Sequence, residues 1–245
     1  MAIRDCICGR TNKISLGFKE GIEIVRCQSC NTIFPVTYTY NEQFYRDEYS
    51  QQYQIQRETP TYSDRIDHDI SVAECRFKSL QGVIEPTKSL DIGSGTGGFV
   101  KVALKANYDA YGIELMPFAV EDRIINDSFL TYEFEPNSFG LITMFDVLEH
   151  FDNPFIIIRK ILSILQSGGI LVIEQPNPMS EEAINKGILW KHIKPQEHNY
   201  LISDIMLTII FKYLRLPLIK QFEPIKGRMC LVYQNDRLRN SYTSI

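Results

Sequence analysis

Leu90-Asp91-Ile92-Gly93-Ser94-Gly95-Thr96-Gly97-Gly98-Phe99 decides how this chain is read. Ser89–Ile92 has the look of a strand and Gly98 to about Ala106 that of a helix, so the glycines form the turn between them. Glycine permits positive φ and lets a ligand approach the backbone closely. Two patterns overlap here. Gly93, Gly95 and Gly98 fit G-x-G-x-x-G, the dinucleotide fingerprint. Asp91, Gly93, Gly95 and Gly97 fit Asp-x-Gly-x-Gly-x-Gly. A pyrophosphate favours a helix N-terminus with no acid beside it, whereas a cationic ligand carrying an ammonium group can use one. Asp91 therefore favours a sulfonium-type ligand over NAD. Glu114 ends the next strand, about 20 residues on, where an acid can accept hydrogen bonds from a ribose diol. The bland alternative is a structural turn with an acid capping the helix.

Outward from that turn, short apolar runs alternate with amphipathic ones, which predicts βα units and a mostly parallel sheet. Strands are expected at Asp109–Glu114, Ile124–Asn126, Phe139–Phe145, Ile170–Glu174, Leu218–Phe222 and Met229–Gln234. Pro117 suits the first turn of a short helix, and Asn153 and Pro154 open another that runs to Leu165 and stops at Gly168–Gly169. Ser203 caps a helix to about Leu214, with Asp204, Thr208 and Lys212 on its wet face. The expected organisation is a cysteine-rich segment over 1–40, a helical tyrosine-rich connector or lid over 41–85, and a ligand-binding domain over 86–245.

Residues 86–177 resemble class I methyltransferases that use S-adenosylmethionine (SAM), in the ubiquinone-methyltransferase-like branch whose fourth strand ends in Leu-Glu-His. Here that stretch is Phe145-Asp146-Val147-Leu148-Glu149-His150. Gly168-Gly169, Pro176-Asn177, Trp190, His192, Pro195, Glu197 and His198 fit further elements of that family. Two cysteine knuckles followed by Phe44, Tyr45, Tyr49 and Tyr53 extend the likeness to the front of the chain. The resemblance implies a Rossmann-like sheet of seven strands, the last antiparallel. It implies that Asp91, Gly93, Ser94, Gly95 and Gly97 line the methionine half of SAM. Glu114 would take the ribose hydroxyls, Leu115 pack on the adenine, Asp127 lie near its amino group, and Phe145 and Asp146 close the pocket. Two departures stand out. Glu114 and Asp127 are closely spaced, and Gly140 occupies a position where relatives usually have Asp.

Cys6-Ile7-Cys8 and Cys27-Gln28-Ser29-Cys30 have the frame of a zinc ribbon, a structural site with Cys6, Cys8, Cys27 and Cys30 as ligands. The alternative is a metal-free hairpin. The first pair is one residue short of C-x-x-C, so either the backbone absorbs the slip or Asp5 ligates. Asn31 tolerates the left-handed turn that follows a knuckle. Cys75 and Cys230 are isolated and read as buried packing residues.

His150 and His198 are the candidate bases for removing a proton from a hydroxyl acceptor. Trp190 reads as a lid anchor and His68 as a solvated helix residue. Asp146, Glu149 and His150 share one face if a helical turn follows the strand. The resemblance associates such a trio with a divalent cation such as Mg; the alternative is an acid cluster without metal.

With 44% hydrophobic and 23% charged residues the chain is ordinary globular protein. A net charge of -4 argues against a general nucleic-acid binder. No signal peptide or membrane span is evident, which predicts a cytoplasmic protein. The expected activity is methyl transfer from SAM to a small hydroxylated metabolite, a sugar or glycan precursor by analogy with relatives. Two rivals remain. One is an RNA methyltransferase gripping with the ribbon and the basic run Lys212, Arg215, Lys220, Lys226, Arg228, Arg237 and Arg239. The other is a SAM-binding protein without turnover.

Overall fold

The computed structural model describes residues 4–37, 61–116 and 122–237. The expected Pro117 helix turn and nearly all of the tyrosine-rich stretch 38–62 lie outside these residues.

Three short antiparallel strands open the chain: β1 (Lys13–Lys19), β2 (Ile22–Cys27) and β3 (Ile33–Pro35), in that spatial order. The β1–β2 hairpin turns on Glu20 and Gly21, both at positive φ, as a two-residue turn that matches strand twist requires. Helix α1 (Thr61–Leu80) follows, then β4 (Lys88–Ile92), α2 (Gly98–Lys105), β5 (Asp109–Glu114), β6 (Ile124–Asn126) and β7 (Phe139–Phe145). A single 3-10 turn, Leu148–His150, precedes α3 (Pro154–Ile164) and β8 (Leu165–Pro176). The chain ends through α4 (Glu181–Lys186), α5 (Asp204–Tyr213), β9 (Leu218–Phe222) and β10 (Arg228–Gln234).

The main sheet has seven strands in the order β6-β5-β4-β7-β8-β10-β9. Pairing is parallel from β6 to β8, and β10 runs antiparallel to both β8 and β9. This is the doubly wound, Rossmann-like sheet that the βα alternation predicts. Because strand side chains alternate between faces, β7 sends Ile142 and Met144 to one core and Leu141 and Phe145 to the other. The first core is completed by α3 and α5, the second by α1 and α2.

Three local expectations are corrected. The helix opened by Asn153 ends at Ile164, before the glycines, and β8 begins at Leu165. Gly168, at φ 76, instead belongs to a bulge that separates the Phe139–Leu165 and Leu141–Ile170 pairs. On α5 the most exposed positions are Ile205, Ile209 and Tyr213 together with Lys212, so the wet face is rotated away from Asp204 and Thr208, which are half-buried. Ser203 does cap this helix, accepting from the Met206 amide. Cys75 is exposed, not packed, whereas Cys230 is buried. His68 is exposed on α1 as expected. Gly140 has a steric reason: a Cβ there would run into the Thr87 side chain.

The small cysteine sheet docks on the segment that follows β8. Trp190 is fully buried among Ile24, Ile33, Ala183, Ile193 and Leu201. Ile33 and Leu201 exchange backbone hydrogen bonds, and the Ser203 hydroxyl donates to the Cys30 carbonyl. Trp190 is thus the hydrophobic plug between the ribbon-like sheet and the insertion. Replacing Trp190 with Ala should cost about 3–5 kcal/mol of stability, read as a lower urea midpoint; an unchanged midpoint would contradict this packing role.

Candidate functional site

Parallel strands deliver their following loops to one edge of the sheet, and ligands bind there where the strand order reverses. In this chain the reversal lies between β4 and β7. A cleft of about 610 Å³ opens at that edge. Gly93, Gly95, Glu114, Leu115 and Asp127 line one end, and Asp146, Glu149, His150, His192 and His198 line the other.

Gly93, Gly95 and Gly97 all have positive φ, at 68, 55 and 85 degrees. A Cβ on Gly93 would collide with Val147, so this glycine is required by space as well as by conformation. The Glu114 carboxylate accepts from the Gly95 amide at 2.8 Å and from the Met116 amide at 3.1 Å. Burial pushes the Glu114 carboxyl up, and those backbone donors pull it back. The loop is thereby held to the end of β5. Thr96 donates to Asp69 of α1 at 2.9 Å, and Asp69 also lines the cleft. Nothing in the local sequence around Asp69 signals this, because α1 reaches the loop only through tertiary packing.

Four predicted ligand residues are not on the cleft wall. Asp91 is buried within the sheet and accepts from the Thr143 hydroxyl at 2.6 Å. Burial raises its pKa to about 7. Ser94 packs toward Gly112, where an added Cβ would clash with it. Gly97 caps α2. Phe145 does not close the pocket: alternation turns it to the other face, where it packs on Phe99 at 4.8 Å beneath the Arg76 guanidinium.

Asp146, at φ 57, forms ion pairs with Arg76 of α1 and Arg228 of β10. Arg76 Nε also donates to the buried Glu174 at 3.1 Å. Sequence reading missed Arg76 and Glu174 and assigned Arg228 to a basic surface run. Their partners are 70 or more residues away. The sequence-based cation trio is not assembled, because these two arginines engage the Asp146 carboxylate. His198 takes its place: Glu149, His150 and His198 bring ligand atoms within 4.8 Å of one another. This donor set, with two imidazoles, does not suit Mg, which prefers oxygen ligands.

The histidine wall is built by a clasp between two segments. The Asn199 and Tyr200 amides both donate to the Glu149 carbonyl, and Asn199 Nδ2 donates to the His150 carbonyl. The His150 and His198 rings meet edge to face at 4.9 Å. Nδ1 of His150 lies 3.0 Å from the Glu197 carbonyl, and Nδ1 of His198 lies 2.7 Å from that of His192. Each is a donor, since a carbonyl only accepts. Burial lowers the His150 pKa to about 4 and that of His198 well below its usual value. Glu149 is fully buried, with neither carboxylate oxygen hydrogen-bonded, and burial raises its pKa to about 8.

At the far side of the ribbon-like sheet the four predicted cysteine ligands converge. Cys6 lies 3.4 Å from Cys30 and from Cys8, and Cys8 lies 3.6 Å from Cys27. The backbone absorbs the short first knuckle: the Gly9 amide, at φ 70, donates to the Cys6 carbonyl. Asp5 is exposed and is not part of the cluster. Asn31 adopts the left-handed conformation at φ 59, as its position predicts.

A family model for a methyltransferase domain matches residues 49–212, well over half of the chain. No curated protein matches the chain in sequence. Several solved structures share the fold. A SAM-dependent methyltransferase from Aquifex aeolicus has TM-score 0.53 and 15% identity over 66% of this chain and 89% of its own. The 1,6-didemethyltoxoflavin-N1-methyltransferase of Burkholderia thailandensis, with S-adenosylhomocysteine bound, has TM-score 0.57 and 11% identity over 93% and 100%. The magnesium protoporphyrin IX methyltransferase of Synechocystis PCC 6803, also with S-adenosylhomocysteine, has TM-score 0.57 and 12% identity over 80% and 100%. The chain belongs to the methyltransferase-domain family. Among the described residues no helix is long and apolar enough to cross a membrane.

The buried Asp91 yields a prediction. An unfolded Asp ionises near 3.8, whereas the buried Asp91 carboxyl is pushed up to about 7. The unfolded state therefore loses its proton first, so this group's contribution to stability falls from about pH 4 to about pH 7 and is constant above. Asp91→Asn keeps the acceptor for Thr143 and cannot ionise. Relative to wild type it should gain at least about 1 kcal/mol between pH 4 and pH 8. Urea midpoints at the two pH values measure this, and a pH-independent difference would contradict it.

Proposed function

We propose that this methyltransferase acts on a hydroxyl of a small metabolite, a sugar or a glycan precursor. The observation that carries the reading is that the glycine-loop end and the histidine end belong to one cleft. Gly93, Gly95 and Glu114 would hold the donor, with Asp127 and Leu115 at its adenine. The sulfonium of SAM is already activated, so the protein has to align the in-line displacement and receive the hydroxyl proton. His150 and His198, kept neutral by burial, are the groups able to receive it. The cleft volume suits a cofactor and a small acceptor together. 1,6-Didemethyltoxoflavin and magnesium protoporphyrin IX, named for two neighbours, are likewise small molecules. The RNA reading loses part of its basic run, because Lys220, Arg228 and Arg237 engage Ser79, Asp146 and Leu162 respectively.

The four converging thiols support a structural zinc site on the ribbon-like sheet. Its ligands would be complete without water, so it would supply folding energy and not catalysis.

Calorimetric titration should show SAM binding with Kd of about 1–100 μM and no binding of NAD. Glu114→Ala should weaken SAM at least about tenfold, or about 1.4 kcal/mol. Absence of SAM binding by the wild type would overturn the reading. With an acceptor found by screening hydroxylated metabolites, His150→Ala and His198→Ala should lower turnover by about 10²–10⁴ while SAM affinity holds. Full turnover in both variants would remove the histidines from the mechanism. Elemental analysis should find about one zinc per chain that Cys27→Ser releases; equal zinc in that variant would rule out the cysteine site.

A further inference from the structure

We propose that Glu149, His150 and His198 hold a divalent transition-metal ion at the acceptor end of the cleft. The inference rests on the methyl-transfer reading and deepens it: with an ion bound, the two imidazoles act on the acceptor hydroxyl through the metal.

Three observations carry the proposal. The first is convergence. One carboxylate oxygen and one nitrogen from each ring lie within 4.8 Å of one another, all on the cleft wall. Metal–ligand bonds of about 2.0–2.2 Å place opposite ligands about 4.4 Å apart at most, so the cluster is close to the span of a loaded site.

The second is orientation. His150 and His198 each present Nδ1 to a backbone carbonyl, of Glu197 and His192 respectively. That bond fixes the proton on Nδ1 and puts the lone pair on Nε2. Metal-binding histidines are held in this way, with the second ring nitrogen donating to a carbonyl or carboxylate. Two rings set in the same tautomer by two separate segments of one insertion are not required by packing alone.

The third is the state of Glu149. Its side chain is fully buried, it lines the cleft, and neither oxygen has a hydrogen-bond partner. Buried polar groups are nearly always satisfied, and an orphaned carboxylate calls for a water or an ion. The surrounding backbone invests in holding this residue: its carbonyl takes two amide donors from Asn199 and Tyr200. Lys194 and Arg76, the two cations with an electrostatic influence on it, make their ion pairs elsewhere, to Glu197 and to Asp146 and Glu174.

Two imidazoles and one carboxylate select a borderline metal of the zinc, iron or cobalt kind over magnesium or calcium. Three protein ligands leave coordination positions open toward the cleft. An oxygen acceptor, above all one with neighbouring hydroxyls that can chelate, would fill them. The ion would lower the pKa of a bound hydroxyl and fix its direction, and the proton would leave to water at the open cleft, since both imidazole lone pairs would then be on the metal. The cysteine cluster is a separate site of a different donor type, which lets one probe distinguish the two.

The test is a titration of the purified full-length chain, native zinc left in place, with Co2+. Cobalt retained after desalting is measured by elemental analysis, and its visible spectrum shows the donor set. The proposal predicts about one retained cobalt per chain with weak nitrogen–oxygen d–d bands and no thiolate charge-transfer band. Glu149→Gln, His198→Ala and, as a second variant at that position, His198→Gln should each weaken cobalt binding about 10–100-fold. Asp146→Asn should keep it. A SAM titration on the same samples separates the two readings. SAM binding without cobalt binding overturns the metal site alone, and loss of both overturns methyl transfer as well. Cobalt that binds only with thiolate bands, that survives in His198→Ala, or that is lost in Asp146→Asn while His198→Ala retains it, also overturns this site.

Discussion

Parallel pairing of β4 with both β5 and β7 is the constraint on which the cleft depends. It forces residues 93–97, 115–116 and 146–150 to leave the sheet at one edge, whatever their side chains. Backbone hydrogen bonding sets that geometry, and the loops then add chemistry to it. The glycine loop can turn sharply enough only because three of its residues tolerate positive φ. The Glu114 carboxylate fastens it by accepting from the Gly95 amide. A buried acid at a strand end thus stabilises the turn before any ligand arrives.

The other end of the cleft has a different origin. The turn Leu148–His150 is too short to hold its own side chains, and the insertion that follows β8 supplies the support. Asn199 and Tyr200 bond to Glu149, Glu197 bonds to His150, and His192 bonds to His198. The same insertion carries Trp190, Leu201 and Ser203, which seat the ribbon-like sheet. Arg4 extends the link by donating to the Asn199 carbonyl and pairing with Asp152. A disturbance of the cysteine cluster therefore has a short covalent and hydrogen-bonded route to the histidine wall.

Arg76 shows how far a single side chain can order several elements. From α1 it reaches Asp146 after β7 and Glu174 in β8, and it covers the Phe145 ring. Three charged groups in a partly buried setting are worth holding only together, since removing one leaves the others unpaired. This network keeps Asp146 turned toward the arginines and leaves Glu149 to face the two histidines.

The sequence by itself determined the βα alternation, the strand positions, the glycine turn with Asp91 and Glu114, and the pairing of Cys27–Cys30 with Cys6–Cys8. These are local signals: periodicity of two or 3.6 residues, glycine at positive φ, and thiols at fixed spacing. It did not reveal that Phe145 faces away from the cleft, because the face a strand residue occupies follows from which neighbours cover the sheet. It misread the exposed stripe of α5 for the same reason, and it treated Gly168–Gly169 as a helix stop where the register of β7 and β8 demands a bulge. Only the tertiary structure decided that Asp146 pairs with Arg76 and Arg228, that His198 joins Glu149 and His150, and that Asp69 meets the glycine loop. Those partners lie from 27 to 70 or more residues apart, and no local pattern encodes a contact made by closing loops of that length. Burial then assigned their chemistry, by raising the carboxyls of Asp91 and Glu149 and keeping the imidazoles of His150 and His198 neutral.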